Sequence, residues 1–305
     1  MEKIRSVITF ELSKKRYRSF TKFLTIYSLL LIFGFVFISP ILFVILRSFM
    51  PTDDFFNPLV VNIPSTFTLD NFRLILERTS YLNTLLFTTY LSGVSAAFQV
   101  LSCGLMGYGL SRYNFKLKKV FLILVGACFV IPAQVLMIPT YLQYSNYGML
   151  GSASTFFLPA ALGQGLRSPI FILIFYSFFN TIPRALDEAA QIDGCSPLKV
   201  FFKIVLPLSL PAVVLTFIFS IVWYWNETYL VQLYLGSGSR TVISQINLAL
   251  SFINEEAMRN PMAAVVNVPV RMAAILLIIL PLIVFYLIMQ RHFVESIERS
   301  GITGE

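Results

Sequence analysis

Histidine occurs once in this chain, at His292, and cysteine three times, at Cys103, Cys128 and Cys195. A single imidazole removes histidine-built metal sites and Ser-His or Cys-His catalysis from consideration. The cysteines are scattered and form no C-x-x-C, which excludes a disulfide framework. Two of them fall inside apolar runs, where a free thiol behaves as a small hydrophobe. The sequence has no Gly-x-x-x-x-Gly-Lys-[Ser/Thr] segment. Its nearest glycine-rich stretch, Gly236-Ser-Gly-Ser-Arg240, lacks the lysine that would reach a nucleotide's phosphates. If ATP drives this protein, another chain binds it, and the chain itself is expected to carry no cofactor.

Charge is also scarce. Only 12% of the 305 residues are Asp, Glu, Lys or Arg, against about 25% in soluble domains. Apolar residues make up 57% and the mean hydropathy is +0.77, so lipid is the expected solvent. The net charge of +8 could suggest nucleic acid, but the basic residues lie between long apolar runs, as in membrane proteins. No nucleic-acid partner is expected.

A helix needs about 20 apolar residues to cross the hydrocarbon core. Uncharged runs cover 23–46, 79–111 and 120–166. The last is too long for one helix, and Ser145-Asn146-Tyr147-Gly148 offers a turn within it. The spans expected are 23–46, 81–111, 120–143, 154–178, 204–235 and 271–290. Cytoplasmic segments would then be 1–22, 112–119, 180–203 and 291–305, and the long outer loops 47–80 and 236–270. The expected class is all-α, a polytopic membrane protein with six transmembrane helices.

Positive charge orients it. Sixteen Lys/Arg fall in the segments on the side of the N-terminus and six on the other, counting Arg271 at the edge of the last span with the loop before it, and Arg167 lies inside a span. Both termini are therefore expected in the cytoplasm. A signal peptide is the competing reading of the N-terminus, but its apolar core would be shorter, about 7–15 residues, and followed by a small-residue cleavage site. Here the run ends in Leu46-Arg47-Ser48-Phe49. The Lys14-Lys15-Arg16-Tyr17-Arg18 cluster is an orientation signal that could also meet anionic lipid.

The segment between the fourth and fifth spans is the most informative. Pro183 suits a first helical turn, and Asp187 and Glu188 follow where a helix dipole favours acids. Gly194 fits the left-handed residue that closes a helix. Ser196 is a good N-cap with Pro197 at the first helical position, so a second helix starts almost at once. Pro207 and Pro211 each remove a backbone donor and should bend the approach to the fifth span. Ala185, Ala189 and Ile192 share one face of the first helix, where small side chains let a partner come close.

Glu188-Ala189-Ala190, then Gly194, Ile204 and Leu206-Pro207 at their spacing, resemble the signature loop of the permease family of binding-protein-dependent ABC importers. The resemblance implies the type I ABC importer permease fold. It also implies a coupling helix, carried by Glu188, Ala189, Ala190, Asp193 and Gly194, seated on an ATPase subunit, with Glu188 meeting a basic residue there. Asn83-Thr84, Ser111-Arg112-Tyr113-Asn114-Phe115-Lys116, Ile138-Pro139 and Trp223-Tyr-Trp-Asn-Glu227 are similar to the carbohydrate, maltose-type (MalG-like) permeases, as is Gln290-Arg291-His292-Phe293-Val294. That subgroup implies a second, MalF-like permease, a dimer of ATP-binding subunits holding ATP-Mg, an extracellular solute-binding protein and a sugar substrate. It also implies a place in the cytoplasmic membrane of a prokaryote. The tail Ser300-Gly-Ile-Thr-Gly-Glu305 lacks the basic finish of the maltose protein, so no pore role is assigned to it.

Arg167 stands near the centre of the fourth expected span, where an arginine costs about 2.5–3.5 kcal/mol on insertion scales. It reads as a substrate-path residue for an acidic or heavily hydroxylated sugar, as a partner for a carboxylate of the second permease, or as the sign of a break in the span. Trp223, Trp225, Asn226 and Glu227 offer stacking rings and hydroxyl-binding groups for a sugar; they equally suit an interfacial aromatic belt. The small pairs Gly93/Ala97 and Gly107/Ser111 suit close helix packing. The outer loop with Asp53, Asp54, Pro58 and Pro64, and secondly that with Glu255 and Glu256, are expected to meet the partner permease or the binding protein. A secondary transporter or channel explains six spans but not the loop pattern, and an ABC permease for a non-sugar solute shares the loop.

Overall fold

The computed structural model describes residues 2–58, 60, 63–236, 238–259 and 268–299. The described residues form helices, turns and loops without strands, and divide into two compact units, one of residues 1–74 with 266–276 and one of 75–265 with 277–305.

In the first unit, α1 (Glu2–Ser48) leads into the short α2 (Thr52–Phe56) and the start of α3 (Asp70–Arg78). From Phe23 to Phe43 the apolar side chains of α1 are largely exposed, Phe37 at 76%. Such a surface is stable against lipid tails, which are as apolar as the side chains. Asp54 draws the loop after α1 together: its carboxylate accepts hydrogen bonds from the Ser65 amide and hydroxyl, both at 2.7 Å. Asn71 clamps the end of α1, donating from Nδ2 to the Ser48 and Met50 carbonyls at 2.9 and 2.8 Å.

The second unit is built around α4 (Tyr81–Arg112), a 32-residue helix about 48 Å long at 1.5 Å per residue. Its buried stripe is polar, with Thr84, Thr88, Ser92, Ser95, Gln99 and Ser102. Thr88 and Ser92 return their hydroxyls to the carbonyls one turn back, at 2.7 Å, which satisfies them inside an apolar interior. α8 (Ser168–Thr181) packs on α4 so closely at Gly107 that a Cβ there would lie 2.6 Å from that of Phe175. The other small pair, Gly93/Ala97, faces open space instead.

Where the sequence reads continuous spans, the structure inserts breaks. α5 (Lys118–Val130) and α6 (Ala133–Asn146) are separated at Ile131-Pro132; a residue before proline is pushed to extended backbone, and Ile131 has ψ 122°. The run 154–178 becomes α7 (Ser154–Ala161) and α8 (Ser168–Thr181), with six residues between them. Beyond α9 (Ala185–Ile192) and α10 (Pro197–Val200), a π-helical turn at Phe201–Val205 passes into α11 (Leu206–Leu208) and α12 (Leu210–Asn226). The chain bends by 82° between α11 and α12, at the donor-lacking Pro207 and Pro211. α13 (Tyr229–Leu235), α14 (Val242–Arg259) and the part of α15 (Val268–Arg299) beyond Leu276 complete the unit. Among the described residues, Lys22–Ser48, Tyr81–Arg112 and Val268–Arg291 are each long and apolar enough to cross a membrane, and three bent pairs reach that length together.

Candidate functional site: a capped loop and a broken helix

The α9–α10 loop takes its shape from its caps. Gly194 has φ +78°, in the left-handed region where a side chain would be strained. The Cys195 amide reaches back to the Ala190 carbonyl at 2.9 Å and the Gly194 amide to that of Gln191 at 3.0 Å, the paired bonds that close a helix on glycine. Ser196 then caps α10, accepting from the Lys199 amide at 3.4 Å, with Pro197 in the first turn.

The phase of α9 sorts its side chains. Asp187 and Ala190 face inward, Ala190 against the aromatic core of α8 and the π-helical turn. Glu188, Ala189, Asp193 and Gly194 are exposed, together with Ala185 and Ile192, the latter at 87%. Four of the five residues expected to meet an ATPase thus share the open side, and Ala190 packs behind them.

Behind α9, Asp187 meets Arg112 from the end of α4, with Oδ2 2.7 Å from Nε and both side chains more than nine-tenths buried. Arg112 also donates from Nη1 to the Ile182 carbonyl at 3.0 Å, and Arg184 donates from Nη2 to the Ser111 carbonyl at 3.2 Å. Burial pushes the Asp187 carboxyl above the usual carboxylate range, against the opposing pull of Arg112 and Arg184. Sequence reading missed this pairing, because it saw in Asp187 only a favourable dipole position and in Arg112 only part of a motif.

The break between α7 and α8 is the second feature. Arg167, the residue preceding α8, is the one non-glycine of positive φ (58°) among the described residues. Such a backbone is uncommon and costs on the order of 1–3 kcal/mol, so its surroundings must hold it. They do so through the freed backbone groups. Gln99 Nε2 donates to the Leu166 carbonyl, the Leu166 amide donates to the Tyr224 hydroxyl at 3.1 Å, and Ser102 donates to the Ala160 carbonyl at 2.6 Å. Gly165 fits because it has no side chain: a Cβ would stand 2.4 Å from the Tyr224 oxygen. A glutamine in a long uncharged run and the Gly163-Gln164-Gly165 triplet are the sequence signals that could have located the break.

Arg167 is exposed, its guanidinium carbon 5.9 Å from the Trp223 ring centre, within reach of a cation–π contact. No carboxylate among the described residues pairs with it. Trp223 is itself positioned by Phe171 and Phe219, at 5.0 and 5.9 Å between centroids. The other candidates of that run have different neighbours. Trp225 is buried and its indole donates to the Ile278 carbonyl at 3.3 Å. Asn226 donates to the Val222 carbonyl at 2.8 Å, within its own helix, and Glu227 accepts from the Leu230 amide at 2.9 Å, tying down the start of α13. The tertiary structure therefore joins Arg167 to Trp223 and engages the other three elsewhere.

Residues 101–299 match the family described as binding-protein-dependent transport system inner membrane component. The chain is 31% identical, over 92% of its length and 97% of the relative's, to the polygalacturonan/rhamnogalacturonan transport system permease protein YtcP of Bacillus subtilis (strain 168). It is 29% identical, over 92% and 98%, to the arabinooligosaccharides transport system permease protein AraQ of Halalkalibacterium halodurans. In fold it is similar to a chain of a bacterial ABC transporter involved in the import of the acidic polysaccharide alginate, with a TM-score of 0.71 and 19% identity, covering 88% of this chain and 94% of that one.

Proposed function

The chain belongs to the binding-protein-dependent transport system inner membrane components, multi-pass permeases and not ATPases, and from that premise we propose that it forms one half of a translocation path for an oligosaccharide bearing carboxylates. The observation that carries this reading is the guanidinium of Arg167, without a carboxylate partner among the described residues and displayed beside the half-buried Trp223 ring at a break between two apolar helices. A fixed cation favours a uronate carboxylate, and an aromatic face suits a sugar ring. The names of the relatives, transporters of polygalacturonan and arabinooligosaccharides, support a saccharide cargo, and the Arg167 side chain supports an acidic one.

In this reading a second permease covers the Arg167 face, an extracellular binding protein delivers the sugar, and two ATP-binding subunits hold ATP-Mg. One of these ATPases seats the exposed face of α9, with Glu188 toward a basic groove and Ala185, Ala189 and Ile192 filling it. Both termini lie in the cytoplasm, on the side with sixteen of the Lys/Arg residues. ATP shifts the permease pair between states by binding one of them better than the other. The test is affinity purification of the tagged chain from its native membrane in mild detergent, with mass spectrometry of what stays bound. A second permease and a P-loop ATPase support the assembly; a chain that emerges alone yet transports after reconstitution overturns it.

A further inference from the structure

α4 touches both features of the site. Near its middle, Gln99, Ser102 and Cys103 hold the backbone of the α7–α8 break, at the Leu166, Ala160 and Ser168 carbonyls respectively. Ten residues on from Ser102, about 15 Å along a helix, Arg112 holds Asp187 of α9 and the Ile182 carbonyl at the end of α8. Arg184 completes a strap in the opposite direction by donating to the Ser111 carbonyl. One turn before Arg112, Tyr108 packs against Phe179 and Phe201, with ring centres 6.1 and 5.2 Å away. A displacement of α9 therefore has a stiff route to the break that does not pass through the irregular backbone between α7 and α8.

The ion pair is incompletely matched. Arg112 and Asp187 touch through one atom of each, Nε and Oδ2. Arg112 Nε and Nη2 and Asp187 Oδ1 are buried and make no hydrogen bond among the described residues, the Nε–Oδ2 contact being an ion pair alone. A guanidinium and a carboxylate can instead meet side-on through two parallel bonds, and leaving buried polar atoms unmatched is unfavourable. Such a side-on pairing would require α9 to rotate against the end of α4. A side-on pairing would give the joint a second discrete arrangement, the property a coupling element needs.

We propose that the buried Arg112–Asp187 pair is the joint through which α9 drives α4, so that movement imposed by the ATPase reaches the break at Arg167 along α4. This rests on the reading of α9 as the ATPase-facing helix. Arg112 and Asp187 are positioning residues: neither meets sugar or nucleotide.

The test uses the purified importer with both permeases and both ATPase subunits in lipid nanodiscs, and measures ATP hydrolysis with and without its binding protein. Removing one partner strands a buried charge, whereas removing both leaves the site neutral. Arg112→Gln and Asp187→Asn alone are expected to lower the yield of assembled complex, and the double variant to restore it. The double variant should nevertheless lose about tenfold of the stimulation by binding protein. A double variant that assembles and keeps wild-type stimulation overturns the joint. Hydrogen exchange on the wild-type complex decides the matter without any variant: ATP binding should change protection at Gly109–Tyr113 together with α9, and a change confined to α9 overturns the proposal. If wild-type complex shows no ATPase association through α9, the underlying reading fails and not the joint alone.

Discussion

Gln99, fully buried in α4, donates its amide to the carbonyl of Leu166, the residue just before the left-handed Arg167. The bond replaces a helical partner that the break has removed, and it ties the geometry of Arg167 to a side chain 67 residues earlier in the sequence.

Gln99→Leu should release that carbonyl without changing the volume of the site greatly. An unmatched buried carbonyl costs about 1–3 kcal/mol, so the melting temperature of the detergent-solubilised complex is expected to fall. Uptake should fall further than the yield of assembled complex does, because the Arg167 backbone loses its support. Unchanged melting and uptake would show that the break holds itself.

Arg167→Gln should weaken the handling of acidic cargo selectively. With trigalacturonate and a neutral galacto-oligosaccharide as probes in reconstituted vesicles, the variant is expected to reduce entry of the acidic sugar by about tenfold or more, the size of one lost charge-assisted contact. Arg167→Lys should retain part of it. Equal losses for both probes would assign Arg167 to packing against the second permease.

Glu188→Ala and Gly194→Asp should insert normally and fail to transport. The first removes a charge from the exposed face of α9; the second places a side chain at φ +78°, where an L-residue costs about 1–2 kcal/mol, and alters the turn that sets α10. Uptake at the wild-type rate by both, at equal expression, would remove the coupling assignment from this loop.

Gly107→Leu should destabilise the chain more than Gly93→Leu. A Cβ at Gly107 would be 2.6 Å from the Phe175 Cβ and 3.0 Å from the Tyr176 amide nitrogen, while at Gly93 nothing lies within 4 Å. Overpacking of this kind costs about 1–3 kcal/mol and should lower the thermal midpoint. Gly93→Leu should leave it unchanged in the isolated chain, and a loss of co-purifying permease in that variant would mark the Gly93 face as one that meets a partner.

The amino-acid sequence by itself determined what depends on neighbours in the chain. Lipid as solvent follows from composition, and the form of the α9–α10 loop follows from Gly194, Ser196 and Pro197, whose backbone preferences act within one or two residues. The bend ahead of α12 follows likewise from Pro207 and Pro211. Tertiary structure decided what depends on residues far apart. Whether Ala189 or Ala190 faces inward is a matter of helix phase against the aromatic core, since both are equally small and apolar. Arg167 acquires its Trp223 neighbour, and Arg112 its Asp187, only when separate helices pack, because a charge in a low-dielectric interior is stable only beside groups that folding brings to it. The break that displays Arg167 has a local sign in its glycines, but its free backbone groups are matched by Gln99, Ser102 and Tyr224 from α4 and α12, and no local pattern specifies those partners.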